Sequence, residues 1–321
     1  MVFIMYVTYK KKPQSVLKTV LRTSLIYGFI IGVYTLFETV TRSNPYIDIV
    51  NALGTYTSDA FIQEIRFGLK RSQSIFSMHT TSGAVCMVLF CVLLVAKKMQ
   101  FLKSKLTTVT IYLLFFACMA SGARSIILGV VVCLFIFFRG KYMMPKYWLP
   151  IILILIVGTI LFGSYIDSIV DSFIHTEKAG GSDTDMREKQ FEISLYYWGK
   201  SFWIGNGLSF TYEHALKQYR ELFGAESLWF SIMIDQGTLG IFAYISFFVA
   251  SVFYCIKKKC IKLSYFILGL LASNTLSSLP NFNITYTIFY VVVMVDMIKS
   301  SVLTKKSHES SLFIPSHAFK H

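Results

Sequence analysis

DSIVDSFIHTEKAGGSDTDMREKQFEISLYYWGKSFWIGNGLSFTYEHALKQYRELFGAE, residues 167–226, is a long polar insert between apolar runs, and its place in the chain decides how everything around it is read. The runs on either side are nearly uncharged and long enough to cross a hydrocarbon core as helix, which takes about 20 residues. They fall at about Thr23 to Val40, Ser74 to Ala96, Leu106 to Ser121, Ser125 to Phe138, Trp148 to Ile166, Ser227 to Ile256, Leu263 to Leu279 and Ile284 to Ile298. Eight crossings put both termini on one side. The fold class is therefore an all-α polytopic membrane protein with about eight transmembrane helices. Residues 1–299 form a single membrane domain, 167–226 its one large extracytoplasmic loop, and 300–321 a polar cytoplasmic tail.

Composition agrees. Apolar residues make up 55% of the chain and charged residues 15%, and the mean hydropathy is +0.58, far above a globular average. The net charge of +14 raises a nucleic-acid partner, but its distribution answers differently. Lys10–Lys12 and Lys18, then Lys97, Lys98, Lys103 and Lys105, then Arg139, Lys141 and Lys146, then Lys257–Lys259 and Lys262, then Lys305 and Lys306 occupy alternate connections. That alternation is what the positive-inside rule requires, so the basic excess records topology. It places Thr41 to Gln73, Gly122 to Arg124, Asp167 to Glu226 and Pro280 to Asn283 outside the cytoplasm.

Arginine breaks the pattern. Arg22 and Arg139 fall inside, whereas Arg42, Arg66, Arg71, Arg124, Arg187 and Arg220 fall outside. Guanidinium is planar, permanently charged and shaped for bidentate binding of phosphate or carboxylate, so an outward arginine set points to an anionic ligand. The plainer alternative pairs these arginines with outward acids such as Asp48, Asp59, Glu64, Asp183 and Glu188. Cysteine adds no chemistry: Cys86, Cys91, Cys118 and Cys133 lie in apolar spans, Cys255 and Cys260 flank a lysine run, and the outer loops hold none. Neither a disulfide framework nor a metal spacing is present, and no metal is expected.

The hairpin from Leu106 to Phe138 is short. Its residues rise about 50 Å as helix, against about 60 Å for two crossings, so the turn Ser121-Gly122-Ala123-Arg124 should sit below the outer surface. A charge at that depth needs a wet cavity or an anion, unless Arg124 snorkels to the headgroups from a tilted hairpin. Within the long loop, Ser182 or Asp183 should cap a helix to about Trp198 in which Phe191, Leu195 and Trp198 share a face. Thr211 should cap a second helix to Phe223, ended by Gly224. The loop's aromatic load suits either seating on the membrane surface or stacking on sugar rings.

Four sequence patterns carry a family resemblance. Arg71-x-x-Ser74-x-Phe76 runs into Gly83 and a span; the short hairpin turns at Ser121-Gly122-Ala123-Arg124-Ser125; Arg187 precedes Trp203-Ile204-Gly205-Asn206-Gly207; and Glu226-Ser227-Leu228-Trp229 leads into Asp235-Gln236-Gly237-Thr238-Leu239-Gly240. In this order and spacing, over about Arg66 to Ile298, the chain resembles the O-antigen polymerase and O-antigen ligase superfamily. The resemblance implies a GT-C-like bacterial inner-membrane glycosyltransferase that works on the outer face without a metal or other cofactor. Its partners would be an undecaprenyl-diphosphate-linked oligosaccharide donor and acceptor and the lipid bilayer, with a chain-length regulator and a flippase beside it. By position, Arg71, Arg124 and Arg187 would bind the diphosphate.

Glu226 would stand where many members have a histidine, leaving a carboxylate as the base for a sugar hydroxyl. Arg66, Asp235 and the rival bases His175 and His214 complete the candidate set. Relatives usually carry more N-terminal spans, so the chain is expected to lack some of them. Two other classes stay open. A transporter or flippase should hold ionisable groups at mid-membrane, where Asp235 is the only deep acid in this reading, placed beside Gly237 and Gly240. A scaffold without chemistry would have no use for six outward arginines.

Overall fold

The structure, a computed structural model, describes residues 13–53, 65–66, 69–76, 78–98, 101–137, 184–219, 222, 227–275, 296 and 299. The expected spans at Trp148 to Ile166 and Ile284 to Ile298, Asp296 excepted, lie outside these residues, as do His175 and Glu226. Among the described residues the chain is almost wholly helical. In order come α1 (Pro13–Thr41), α2 (Pro45–Ala52), β1 (Ile65–Arg66), β2 (Leu69–Lys70), α3 (His79–Lys98), α4 (Lys105–Ala120), α5 (Arg124–Phe137) and α6 (Thr184–Lys200). A π-helical turn at Thr211–Ala215 then continues into α7 (Leu216–Gln218), followed by α8 (Leu228–Lys257) and α9 (Ile261–Thr275). The two short strands pair antiparallel, Ile65 opposite Lys70 and Arg66 opposite Leu69.

Among the described residues three helices are long and apolar enough to cross a membrane: Lys18–Thr41, His79–Lys97 and Leu228–Lys257. The hairpin helices α4 and α5 are apolar but shorter; the 16 residues of α4 rise only about 24 Å. Helices in lipid gain little from hiding apolar side chains from one another, so they associate where small residues let backbones approach. α1 meets α4 in this way. A Cβ on Gly28 would lie 3.0 Å from Leu114 Cδ1, and one on Gly32 would lie 2.7 Å from Leu113 Cβ. α3 packs on α4 from another side, and α9 packs on α5 and α8. Leu114, Cys118, Ile126, Val130 and Ile267 are buried in the shared core, while Ile26, Ile30, Val33 and Phe37 of α1 face outward at helical spacing.

Two expectations change here. The span read from Ser74 begins as helix only at His79, because residues 70–74 are instead a buried polar segment that turns at Ser74. Asp235 is also not the only deep acid, since Glu38, near the end of α1, is fully buried. Apart from Asn44, its polar partners lie far along the chain, at Lys70, Gln73 and Ser74, where no local pattern reveals them. At the other end of the bundle, Asp296 accepts a hydrogen bond from Tyr254 at 3.1 Å and pairs with Lys258 at 3.4 Å.

Candidate functional site

The polar segment at residues 70–74 is built around Glu38. The Glu38 carboxylate accepts from Asn44 Nδ2 at 2.9 Å, from the Gln73 backbone N–H at 3.1 Å and from the Ser74 backbone N–H at 2.7 Å. Lys70 Nζ stands 3.6 Å from it, both side chains being buried. A buried carboxylate is tolerated only with such company, since desolvation otherwise outweighs the Coulomb gain. Asn44 has both donors and its acceptor oxygen engaged. Its amide donates to Glu38 and to the Ser74 carbonyl at 2.8 Å, and its carbonyl accepts from Tyr34 at 2.8 Å and from Ile47 N, capping α2. The segment is fixed to the hairpin as well, through Ser72 N donating to the Ala120 carbonyl at 3.0 Å.

That clamp sets Arg71. Its side chain is buried and lies across the hairpin turn: a Cβ on Gly122 would come within 3.1 Å of Arg71 Cγ and 3.4 Å of its Nε. Gly122 also has φ +60, a backbone region that side-chain-bearing residues rarely enter. Arg124 opens α5 two residues later and is half-buried. The structure thus brings Arg71 and Arg124 to one end of the hairpin. Arg71 Nη1 also lies 3.0 Å from His79 Nε2 at the start of α3. Guanidinium can only donate, so Nε2 accepts and the imidazole proton sits on Nδ1. Sequence reading passed over both Glu38 and His79. For His79 the only available signal was its place eight residues after Arg71.

Arg187 is carried by a different element. It lies half-buried in the first turns of α6, and the face that α6 turns inward is Arg187, Gln190, Ser194 and Tyr197. Phe191 and Leu195, expected to share a face with Trp198, are exposed there. Arg66 sits in β1, and only its backbone is described. His214 is exposed on the π-helical turn, its ring 5.1 Å from that of Phe210.

The loop has a small core of its own. Tyr197, Ala215, Leu222 and Ile234 are buried together, with Phe210 and Tyr219 edge-on to Tyr197 at 5.3 and 6.1 Å. Burial pushes the Tyr197 phenol above its ordinary pKa. Thr211 does not cap the second helix as expected. Asp235, reaching from α8, accepts from both Thr211 N at 2.7 Å and Thr211 Oγ1 at 2.6 Å, and so caps it from another element. Asp235, buried among loop residues, is thus an engaged acceptor through its Oδ1.

The turn Trp203-Ile204-Gly205-Asn206-Gly207 and the segment Asp235-Gln236-Gly237-Thr238-Leu239 prove to be each other's partners. Asn206 N donates to Ile234 O and Gly207 N to Asp235 O, while Thr238 N donates to Phe202 O and Leu239 N to Trp203 O, all between 2.9 and 3.0 Å. Trp198 Nε1 adds a bond to Thr238 Oγ1 at 3.2 Å. Gly237 takes φ +62 and kinks α8. The two backbones cross so closely that a Cβ on Gly205 would lie 2.4 Å from Asp235 C, and one on Gly237 would lie 2.5 Å from Gly205 N. Among the described residues, no three His, Cys, Asp or Glu side chains come together as a metal site would require.

Apolar helices, a hairpin tip that carries Arg71 and Arg124, and a folded polar loop locked onto a kinked span are the features of a membrane protein. Residues 109–245 match the family model described as O-antigen ligase, which bears out the resemblance to the O-antigen polymerase and ligase superfamily over that stretch. The match supports a polymerase-like or ligase-like function of the membrane glycosyltransferase kind. It runs from α4 through the first half of α8, taking in Arg124, Arg187, Glu226 and the interlocked turn but neither Arg71 nor Glu38. No curated protein matches the chain.

Proposed function

We propose that the protein is a membrane glycosyltransferase that polymerises undecaprenyl-diphosphate-linked oligosaccharide repeat units into O-antigen, capsular or exopolysaccharide on the outer face of the bacterial cytoplasmic membrane. The observation that carries this reading is Arg71, fixed by the Glu38, Asn44 and Lys70 network across Gly122, two residues from Arg124. A diphosphate leaving group gathers negative charge as its bond to the sugar breaks, and guanidinium groups held in place beforehand stabilise that charge with little reorganisation.

In the proposed reaction an acceptor sugar hydroxyl attacks the anomeric carbon of the donor. The new C–O bond forms as the bond to the diphosphate breaks, and the diphosphate leaves with the electron pair. One such displacement inverts the anomeric centre, and the arginines supply the positive charge that a metal would otherwise bring. Glu226 is the proposed base for the hydroxyl proton. It directly precedes Ser227, the buried N-cap of α8, which accepts from Trp229 N at 3.3 Å. Arg187, on the inward face of α6, is the third proposed diphosphate ligand, and a chain-length regulator and a flippase are the proposed protein partners.

Ligation of the glycan to lipid A core is the second reading, since the matching family does not separate polymerase from ligase. Glycans from a deletion strain separate the two: loss of a polymerase leaves single repeat units, whereas loss of a ligase leaves long chains on undecaprenyl diphosphate. In either case, replacing Arg71 or Arg124 by Lys should remove most of the activity at normal protein level, because a point charge cannot reproduce a bidentate fork. Full activity in both variants would return these arginines to ordinary structural pairing.

A further inference from the structure

α8 changes character at Gly237. Before it, Leu228, Ser231, Ile232, Met233, Ile234 and Asp235 are all buried. After it, Leu239, Phe242, Ile245, Val249, Phe253 and Ile256 face outward at helical spacing, an apolar stripe suited to lipid. From Gly237 to Lys257 the helix rises about 31 Å, the thickness of a hydrocarbon core. With Lys257–Lys259 fixing one boundary, the opposite boundary falls at the kink.

The interlock transfers that height to the loop. Leu239 is the first outward residue of the lipid-facing stripe, and its N–H donates to the Trp203 carbonyl at 3.0 Å. Trp203 is 64% exposed, Ile204 70% and Leu208 82%. No charged residue occurs between Lys200 and Glu213. The exposed apolar surface is therefore continuous with the stripe on α8, and it ends in an aromatic of the kind that collects at membrane interfaces.

We propose that the turn from Phe202 to Leu208 is a finger inserted into the bilayer, in the leaflet opposite the lysine run, with Trp203, Ile204 and Leu208 among the lipid headgroups and upper acyl chains. Its occupant is the lipid surface itself. The finger holds the loop at the membrane boundary, and with it the α6 face bearing Arg187 and the Thr211 helix capped by Asp235. This placement does not depend on the transferase reading.

The test uses the full chain in vesicles whose lipids are brominated high on the acyl chain, compared with unbrominated vesicles. The protein has four tryptophans, so the emission of wild type minus that of Trp203→Phe isolates Trp203. That component should be blue-shifted, lose most of its intensity in brominated lipid and be insensitive to aqueous iodide. Water-like emission quenched by iodide and untouched by bromine would overturn the proposal. Protection from both quenchers would overturn it too, since a second copy or another protein would then cover the turn. An Ile204→Trp variant, which adds an emitter without removing one, should give a new component with the same bromine sensitivity and iodide protection.

Discussion

Gly205 offers the sharpest test of the interlock because its neighbours predict a graded series. A methyl group at Gly205 would lie 2.4 Å from Asp235 C and O and from Gln236 N, backbone atoms with no rotamer to yield, and its φ of +71 adds strain. Left-handed backbone costs an alanine about 1–2 kcal/mol. Forcing the two segments apart also removes four backbone hydrogen bonds, each contributing about 1 kcal/mol net. The docked loop should therefore lose about 5 kcal/mol in Gly205→Ala, enough to release it while the spans stay folded. Gly207, with φ +117 and nothing within 4 Å of its missing Cβ, should show the strain alone. Gly199, helical and equally open, should be neutral or gain up to about 1 kcal/mol. Limited proteolysis of the three variants in detergent reads the series directly. Cleavage within residues 184–219 should be fastest for Gly205→Ala, intermediate for Gly207→Ala and at the wild-type rate or slower for Gly199→Ala. Equal rates for Gly205→Ala and wild type would refute the close crossing.

Three other outcomes bear on the site. Glu38→Gln leaves Lys70 buried without its counter-charge and should cost about 3–5 kcal/mol of stability, read as a lowered melting temperature in detergent, with part restored by adding Lys70→Met; an unchanged melting temperature would remove Glu38 as the clamp on Arg71. Asp235→Asn keeps an acceptor oxygen for Thr211 and should be close to wild type in stability and activity, whereas Asp235→Ala orphans those donors at about 1–3 kcal/mol. Activity lost in the Asn variant at full stability would instead show that the charge matters. Glu226→Gln, which cannot accept a proton, should lower polymer formation in membranes supplied with lipid-linked repeat units by about 100-fold or more; near-wild-type polymer, with the loss appearing in His214→Ala or His175→Ala, would move the base to a histidine.

The apolar runs made the helices legible because a membrane span is specified by composition over a window, which needs no knowledge of partners. The hairpin was legible for a related reason: counting residues between Lys105 and Arg139 bounds its length whatever it packs against. The face of α6 was not legible. Periodicity puts Phe191, Leu195 and Trp198 on one face without saying which way it turns, and the structure buries Gln190 and Ser194, half-buries Arg187 and exposes Phe191 and Leu195. The inside-out rule assumes water outside, and it loses its direction next to a bilayer or over a polar site.

The remaining misses share one cause. Glu38 looks like a single acid at the end of an apolar run, and what makes it a clamp is its contact with Gln73 and Ser74, 35 and 36 residues away. Likewise Gly205 and Gly237 each look like an ordinary turn or kink. Only their crossing reveals why neither position has room for a side chain. Local sequence records the need for a small residue or a buried charge, while the reason lies on a distant segment. The short stretch from Leu228 to Gln236 gathers those distant reasons in one place. Leu228 and Ile232 enter the core of the bundle, Ile234 enters the core of the loop, and Asp235 caps the loop helix. A segment tied on both sides cannot shift without moving both. The junction at Ser227 is therefore held by the bundle and the loop together, and it is to this fixed point that the proposed base, Glu226, is joined in sequence.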